Sequence, residues 1–291
     1  GVVAAIESSY MKHQLVESNT ARLEKIESGE QVVVGVNAFQ ESEPSPLSAG
    51  EGAILTVPDS VEREAIERLQ AWRAARDSKA AETALAELRS AMKEGRNVME
   101  PSIACAKAGV TTGEWAQTLR TIFGEYRAPT GVGHAARNVP NEDLDDVRAR
   151  VESVSLKLGK RLKLLVGKPG LDGHSNGAEQ IAVRARDAGM DVVYDGIRLT
   201  PEEIVTAAKS GDVHVIGLSI LSGSHVPLVQ DVMSRLNAEG IDKIPVVVGG
   251  IIPSEDMARL KESGVAAVYT PKDFQLNEIM GDMVDIVETR Y

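Results

Sequence analysis

Lys168, Asp172 and His174 lie within seven residues of one another and are the side chains of this sequence best suited to chemistry. They follow an apolar run and are separated by glycines in the stretch LLVGKPGLDGHSNG, residues 164–177. A metal-binding histidine commonly donates its second ring N–H to a carboxylate, which fixes its tautomer and raises its basicity. A lysine beside that carboxylate keeps it ionised. The stretch therefore indicates His174 as a metal ligand, supported by Asp172 and Lys168.

Two other interpretations of this stretch are open. A phosphate-binding loop needs glycines spaced as GxGxxG, or as GxxxxGK followed by Ser or Thr, and the glycines here match neither spacing. An ordinary tight loop with an exposed histidine is the better interpretation for any histidine considered alone. It leaves the nearby aspartate and lysine without a role.

A single histidine does not make a zinc site, because structural zinc uses four protein ligands and catalytic zinc usually three. Cys105 and the other four of the five histidines show no companion spacing. We therefore expect a metal that arrives in a macrocycle and takes one axial ligand from the protein, as in haem or cobalamin. Ser219 and the pair Gly249-Gly250 favour cobalamin, because they would line a groove for the benzimidazole nucleotide that haem lacks.

A regular alternation of strands and helices must position these residues. From Lys163 onward five apolar runs alternate with helical stretches, which predicts a doubly wound, flavodoxin-like parallel sheet of five strands. The predicted strands are LKLLVG, DVVYDG, VHVIGLSIL, IPVVVGG and VAAVYT, and the predicted helices lie near 177–188, 200–210, 224–239, 254–263 and 273–289. In such sheets, ligands bind outside the carboxyl ends of the strands. The loop that contains His174 follows the first of these ends.

The sequence before this sheet is mainly helical. Helical spacing of apolar residues recurs in residues 1–30, 60–94, 96–109 and 111–126. The run QVVVGVN, residues 31–37, instead predicts a strand that is apolar on both faces, which is typical of a parallel sheet covered on both sides. No second predicted strand follows for more than a hundred residues. Its neighbouring strands therefore come either from another chain or from a larger α/β domain to which this strand belongs, and we expect the second.

These patterns predict three parts. Residues 1–40 are the end of the larger α/β domain, and residues 160–291 are the sheet domain. Between them, residues 41–159 combine an acidic loop at 41–51, a helical module and a turn-rich linker at 128–143.

The composition excludes several classes of partner. A formal charge of -11 argues against binding to nucleic acids or anionic membranes, which require basic surfaces. No apolar run approaches the roughly 20 residues that span a bilayer. The single cysteine, Cys105, excludes an intrachain disulfide framework and indicates a reducing compartment. We therefore expect a cytoplasmic protein with neither a membrane nor a nucleic-acid partner.

Three motifs resemble the DxHxxG…SxL…GG signature of the cobalamin-binding domains of acyl-CoA mutases and methionine synthase. They lie at residues 172–177, 219–221 and 249–250. The resemblance implies that His174 replaces benzimidazole below cobalt and that Asp172 and Lys168 form its relay, the three together being the catalytic group. It also implies cofactor contacts by Asp172, Gly173, His174, Ser175, Gly177, Ser219, Leu221, Gly223, Gly249, Gly250 and Tyr269.

The resemblance extends beyond these motifs. Residues 6–39 are similar to the last helix and strand of the substrate-binding (β/α)8 barrel of methylmalonyl-CoA-type mutases, and residues 102–132 to the helical segment that follows the barrel. The stretches around GKPGLDGHSNG and LSILSGSHVPLV are more similar to ethylmalonyl-CoA mutases than to methylmalonyl-CoA mutases. Lys272 and Asp273 depart from the broader family pattern, so we assign them no cofactor contact.

The implied function is an adenosylcobalamin-dependent radical rearrangement of a CoA thioester, converting ethylmalonyl-CoA to methylsuccinyl-CoA. The acyl-CoA substrate would bind to the rest of the barrel, so we expect no turnover by this chain alone. The resemblance further implies a homodimer and a G-protein chaperone that loads the cofactor. Methylmalonyl-CoA mutase and a stand-alone cobalamin carrier or sensor are the alternatives, and the barrel-like residues 1–40 favour a mutase.

The remaining histidines have weaker signals. His225 follows the third predicted strand and either packs below the corrin or begins a helix in solvent. His214 lies in a predicted strand, so we predict a structural role for it. His13 and His134 are predicted to lie at the surface. Cys105 indicates helix packing.

Overall fold

A computed structural model describes residues 1–40, 58–132 and 142–291 of the protein. The predicted acidic loop at 41–51 and most of the predicted linker at 128–143 lie outside the described residues, as does His134.

The chain divides into two compact units. The larger combines Gly1–Glu41 with Ala128–Tyr291, and the smaller is Ser42–Arg127. Within the described ranges, no helix combines the length and the apolar character needed to cross a membrane. The helices are α1 (Val2–Glu7), α2 (Tyr10–Glu27), α3 (Asp59–Ala75), α4 (Ser78–Lys93), α5 (Met99–Lys107), α6 (Thr112–Phe123), α7 (Glu142–Leu158), α8 (Asn176–Asp187), α9 (Pro201–Gly211), α10 (His225–Ala238), α11 (Ser254–Glu262) and α12 (Leu276–Arg290). The strands are β1 (Lys163–Gly167), β2 (Asp191–Val193), β3 (Val215–Ser219), β4 (Val246–Gly249) and β5 (Ala267–Tyr269).

The larger unit contains a parallel sheet of five strands in the order β2-β1-β3-β4-β5. Each strand coincides with one of the apolar runs, so the predicted doubly wound fold is confirmed. The register places Ser219 opposite Gly249, and Gly249 opposite Tyr269. Ser219 and Gly249, which come from two separate motifs, therefore lie beside Tyr269 at the carboxyl edge of the sheet.

Both faces of the sheet are covered. Leu164 and Val166 of β1 point into a buried apolar cluster with α7, α8 and α12, whereas Leu165 points into a second cluster with α9, α10 and α11. Because α7 contributes Val147 and Val151 to the first cluster, it packs with the sheet. The structure therefore groups this helix with the sheet in one compact unit, whereas the sequence predicts a domain boundary at residue 160.

Residues 1–30 form α1 and α2, as predicted, but the predicted strand at 31–37 is wrong. The structure has only an isolated bridge between Val34 and Ala38 in this region. The Asn37 side chain holds a turn instead, accepting from Val33 N–H and donating to the carbonyls of Ile26 and Gln31. A strand needs a neighbour for its backbone groups, and among the described residues no strand lies alongside this run.

The smaller unit contains α3, α4, α5 and α6, which confirms its helical prediction. Cys105 is buried against Leu88 and Met92, as its apolar setting predicts, and burial raises the pKa of its thiol. Thr111 and Glu114 form a capping box at the start of α6. Hydrogen bonds from Arg76 hold the pKa of Glu114 far below its usual range.

Candidate cofactor site

The Asp172 carboxylate organises the loop that follows β1. Its Oδ2 accepts from Lys168 Nζ at 2.7 Å and from Leu221 N–H at 3.2 Å. Its Oδ1 lies 2.6 Å from His174 Nδ1 and accepts from His174 N–H at 3.0 Å. An ionised carboxylate has about four acceptor positions, so this one is saturated. The structure therefore joins Lys168, Asp172 and His174 by hydrogen bonds, in the order that the sequence predicts.

Burial changes steeply along this relay. The Lys168 side chain is 0% exposed, Asp172 is 5% exposed and the imidazole of His174 is 78% exposed. Burial raises the pKa of Asp172, but the hydrogen bonds from Lys168 and His174 outweigh this effect and hold it well below its usual range. Because an ionised carboxylate only accepts, the neutral imidazole must carry its proton on Nδ1. The Nε2 lone pair of this exposed imidazole is therefore available to bind a metal.

A cavity of about 370 Å³ opens beside this loop at the carboxyl edge of the sheet. The wall contains residues of β3, β4, β5, α8 and α12, and it is mainly apolar. Six of the predicted cofactor residues line it, namely Gly177, Ser219, Leu221, Gly249, Gly250 and Tyr269. Leu221 joins the cavity to the relay, since its N–H binds Asp172 while the residue itself lines the wall.

The two adjacent glycines at the carboxyl end of β4, the last residue of the strand and the one after it, have different roles. A Cβ added at Gly249 would meet no atom within 4 Å, so a side chain there would enter open space beside the cavity wall. A Cβ added at Gly250 would lie 1.8 Å from the carbonyl oxygen of Ile220. Gly249 therefore keeps the cavity open, and Gly250 allows two backbone segments to approach each other.

Two of the predicted cofactor residues, Tyr269 and Ser175, make side-chain hydrogen bonds within the chain. Tyr269 donates a long hydrogen bond of 3.4 Å to Asp282, and burial, reinforced by that carboxylate, raises its pKa. Ser175 accepts from Lys12 Nζ at 3.0 Å. Gly173 and Gly223 are not among the residues that line the cavity. No contact in the structure assigns these two glycines a role in holding a cofactor.

Helix α2 is part of the site, which the sequence analysis missed. Asn19, Arg22 and Leu23 line the cavity from this helix. Lys12 of the same helix pairs with the buried carboxylate of Glu179 at 2.5 Å. The sequence of α2 does not predict these contacts, because the residues that α2 contacts lie more than 150 positions away in the chain.

His225 is buried at 4% exposure, so its predicted alternative as an exposed helix-start residue is wrong. Its Nε2 lies 2.9 Å from Asp256, and its Nδ1 lies 3.2 Å from the carbonyl of Ser222. These contacts join the loop after β3 to α11. His214 is a structural histidine, as predicted, because it is buried and its Nδ1 accepts from Lys163 N–H. Burial lowers its pKa.

Among the residues that the structure describes, no group of three or more His, Cys, Asp or Glu side chains could hold a metal ion. Within this range, His174 is thus an isolated imidazole backed by a carboxylate. A metal that brings its own equatorial ligands fits this arrangement.

Comparison with known proteins gives two family matches. Residues 1–125 match the family model described as methylmalonyl-CoA mutase, and residues 162–274 match that of the B12 binding domain. The second match contains the relay and the glycine pair, so the similarity coincides with the site.

Individual relatives agree with these matches. The chain is 59% identical over 288 residues to the ethylmalonyl-CoA mutase of Cereibacter sphaeroides, covering 99% of this chain and 44% of the relative. It is 58% identical to that of Methylorubrum extorquens, covering 99% and 42%. It is 34% identical to the methylmalonyl-CoA mutase of Cereibacter sphaeroides, covering 93% and 38%. The chain thus spans less than half the length of these relatives, and the resemblance that its sequence predicts is confirmed.

Proposed function

We propose that this chain, which is similar along 99% of its length to ethylmalonyl-CoA mutases, is the cobalamin-binding part of a CoA-thioester mutase. The proposed reaction converts ethylmalonyl-CoA to methylsuccinyl-CoA, with adenosylcobalamin as the cofactor. One observation carries the proposal: an exposed imidazole, backed by a buried Asp172–Lys168 pair, lies beside a cavity at the carboxyl edge of a parallel sheet.

The residues present fit cobalamin well. His174 Nε2 would bind cobalt, and Asp172 would orient the ring and fix its tautomer through Nδ1. The cavity beside Gly249 and Tyr269 would hold the displaced benzimidazole nucleotide. When bound, adenosylcobalamin supplies the radical that begins a carbon-skeleton rearrangement. The chain would orient the cofactor through His174 and the cavity wall.

The choice of substrate follows from the relatives. Identity is 58–59% to two ethylmalonyl-CoA mutases and 32–35% to the methylmalonyl-CoA mutases compared. The match of residues 1–125 to a mutase family model favours a mutase over a stand-alone carrier or sensor. From the resemblance alone we also propose a cytoplasmic homodimer and a G-protein chaperone that loads the cofactor.

The proposal is tested by adding cobalamin to the purified chain and recording its visible spectrum. We expect the benzimidazole to be displaced and a histidine-bound spectrum to appear. His174→Ala should abolish this spectrum, whereas the control His214→Ala should keep it, because His214 lies at the opposite edge of the sheet. A wild-type chain that binds no cobalamin, or an His174→Ala chain with the wild-type spectrum, would contradict the proposal.

A further inference from the structure

Arg22 lines the cavity from α2 and is the sole cationic side chain among the described residues of its wall. In the part of the chain that the structure describes, its guanidinium makes no ion pair or side-chain hydrogen bond. Arg22 is exposed, so packing in a hydrophobic core does not explain its position. An exposed arginine on a mainly apolar cavity wall, with no such partner among the described residues, favours an anionic ligand.

The neighbouring cations differ from Arg22 in this respect. Lys12 and Lys25 on the same helix pair with Glu179 and Glu30, at 2.5 and 3.2 Å. The acidic residue of the cavity wall, Asp273, already accepts from Thr270 N–H at 2.7 Å and from its hydroxyl at 3.1 Å. Among the described residues, the cavity wall therefore combines a carboxylate that is already hydrogen-bonded with a guanidinium that has no such partner.

The position of Arg22 is well defined because α2 is fastened on both sides of it. Before Arg22, the Thr20 hydroxyl donates to the buried Gln180 amide oxygen at 3.0 Å. After it, the Glu27 carboxylate accepts from Arg184 at 2.8 Å and from Leu276 N–H at 3.1 Å. These contacts hold the helix against α8 and the start of α12.

We infer that Arg22 binds the phosphate of the cofactor's nucleotide tail. This inference rests on the proposed function, in which the tail occupies the cavity. The phosphodiester is the anionic group of that tail, and the planar guanidinium matches phosphate oxygens in a bidentate geometry. The contact comes from the segment that matches the mutase family model, outside the residues that match the B12 binding domain. Arg22 thus favours complete cobalamin over corrinoids without a nucleotide.

The test compares cobalamin with cobinamide, which has the corrin ring but lacks the nucleotide. Dissociation constants for both are measured by visible titration of the full chain and of its Arg22→Gln, Arg22→Lys and Lys25→Gln variants. Loss of a charge-assisted hydrogen bond should weaken cobalamin binding by Arg22→Gln about 10–100-fold. Cobinamide binding should not change. Arg22→Lys should recover part of the loss, and the matched control Lys25→Gln should bind both corrinoids as the wild type does.

Two outcomes for Arg22→Gln would overturn the inference alone. Unchanged cobalamin affinity would show that no phosphate contact exists. An equal loss for cobalamin and cobinamide would show that Arg22 acts on the helix position rather than on the nucleotide. If the wild-type chain bound neither corrinoid, the proposed function would fail, and the inference with it.

Discussion

Replacing Asp172 by Asn keeps the shape of the side chain but removes its charge and half of its acceptor capacity. The carboxylate accepts from four donors, two on each oxygen. Whichever way the amide is turned, its NH2 group must face a pair of donors. On one side these are Lys168 Nζ and Leu221 N–H, and on the other the N–H and Nδ1–H of His174.

The cost of this change follows from the burial of Lys168. Its ammonium group is 0% exposed, and its other acceptor is the carbonyl of Ser219 at a long 3.4 Å. Removing one member of a buried ion pair costs about 3–5 kcal/mol, and an amide oxygen offsets part of that. We therefore expect Asp172→Asn to lower the free energy of unfolding by about 3 kcal/mol. Cobalamin affinity should fall about 10–100-fold, because the imidazole of His174 would no longer be held by a carboxylate.

Chemical denaturation of four chains tests this reasoning: the wild type, Asp172→Asn, Lys168→Met and the double variant. Methionine removes the buried charge, so the double variant should be more stable than the sum of the two single losses predicts. Additivity within about 0.5 kcal/mol would show that the two groups are not coupled. An Asp172→Asn chain with wild-type stability and wild-type cobalamin affinity would refute the relay altogether.

Two further predictions concern the walls of the cavity. Gly249→Leu should weaken cobalamin binding more than tenfold (over about 1.4 kcal/mol) without changing the unfolding midpoint, because its side chain has open space to enter. Gly250→Ala should instead lower the free energy of unfolding by about 1–3 kcal/mol, since its Cβ would overlap a carbonyl oxygen. A wild-type midpoint for Gly250→Ala, or a lowered midpoint for Gly249→Leu, would contradict the corresponding assignment. Lys12→Met should cost about 3 kcal/mol in urea denaturation, because it leaves Glu179 buried and charged. Adding Glu179→Gln should recover most of that loss, and no recovery would refute the ion-pair explanation.

The sheet and the core of the site could be predicted because their signals are local. Buried parallel strands are continuous apolar runs, and the residues after them fall at one edge of the sheet by topology alone. Ser219, Gly249 and Tyr269 occupy paired positions at that edge, although they lie on three separate strands. The spacing of Asp172 and His174 similarly allows a hydrogen bond within a single loop.

The errors and omissions share a different origin, which is contact between distant parts of the chain. The apolar run at 31–37 does not reveal whether a strand lies beside it, and the amide of Asn37 favours a turn. The burial of His225 depends on Asp256, which lies on another helix. Arg22 is one charged residue among several on α2, and its place beside the cavity follows from docking against α8. Sequence periodicity contains none of this information.

The central claim, that His174 binds the cobalt of cobalamin, can be tested by electron paramagnetic resonance of the cobalt(II) form. The orbital that holds the unpaired electron is directed towards the ligand nitrogen. Hyperfine coupling to that nitrogen therefore splits each cobalt line. The chain is prepared with histidine labelled with nitrogen-15, and the cobalamin is left unlabelled. We predict that each line becomes a doublet, because nitrogen-15 from His174 lies on the cobalt. Triplets from unlabelled benzimidazole nitrogen would show that the tail remains bound to the metal and would contradict the claim.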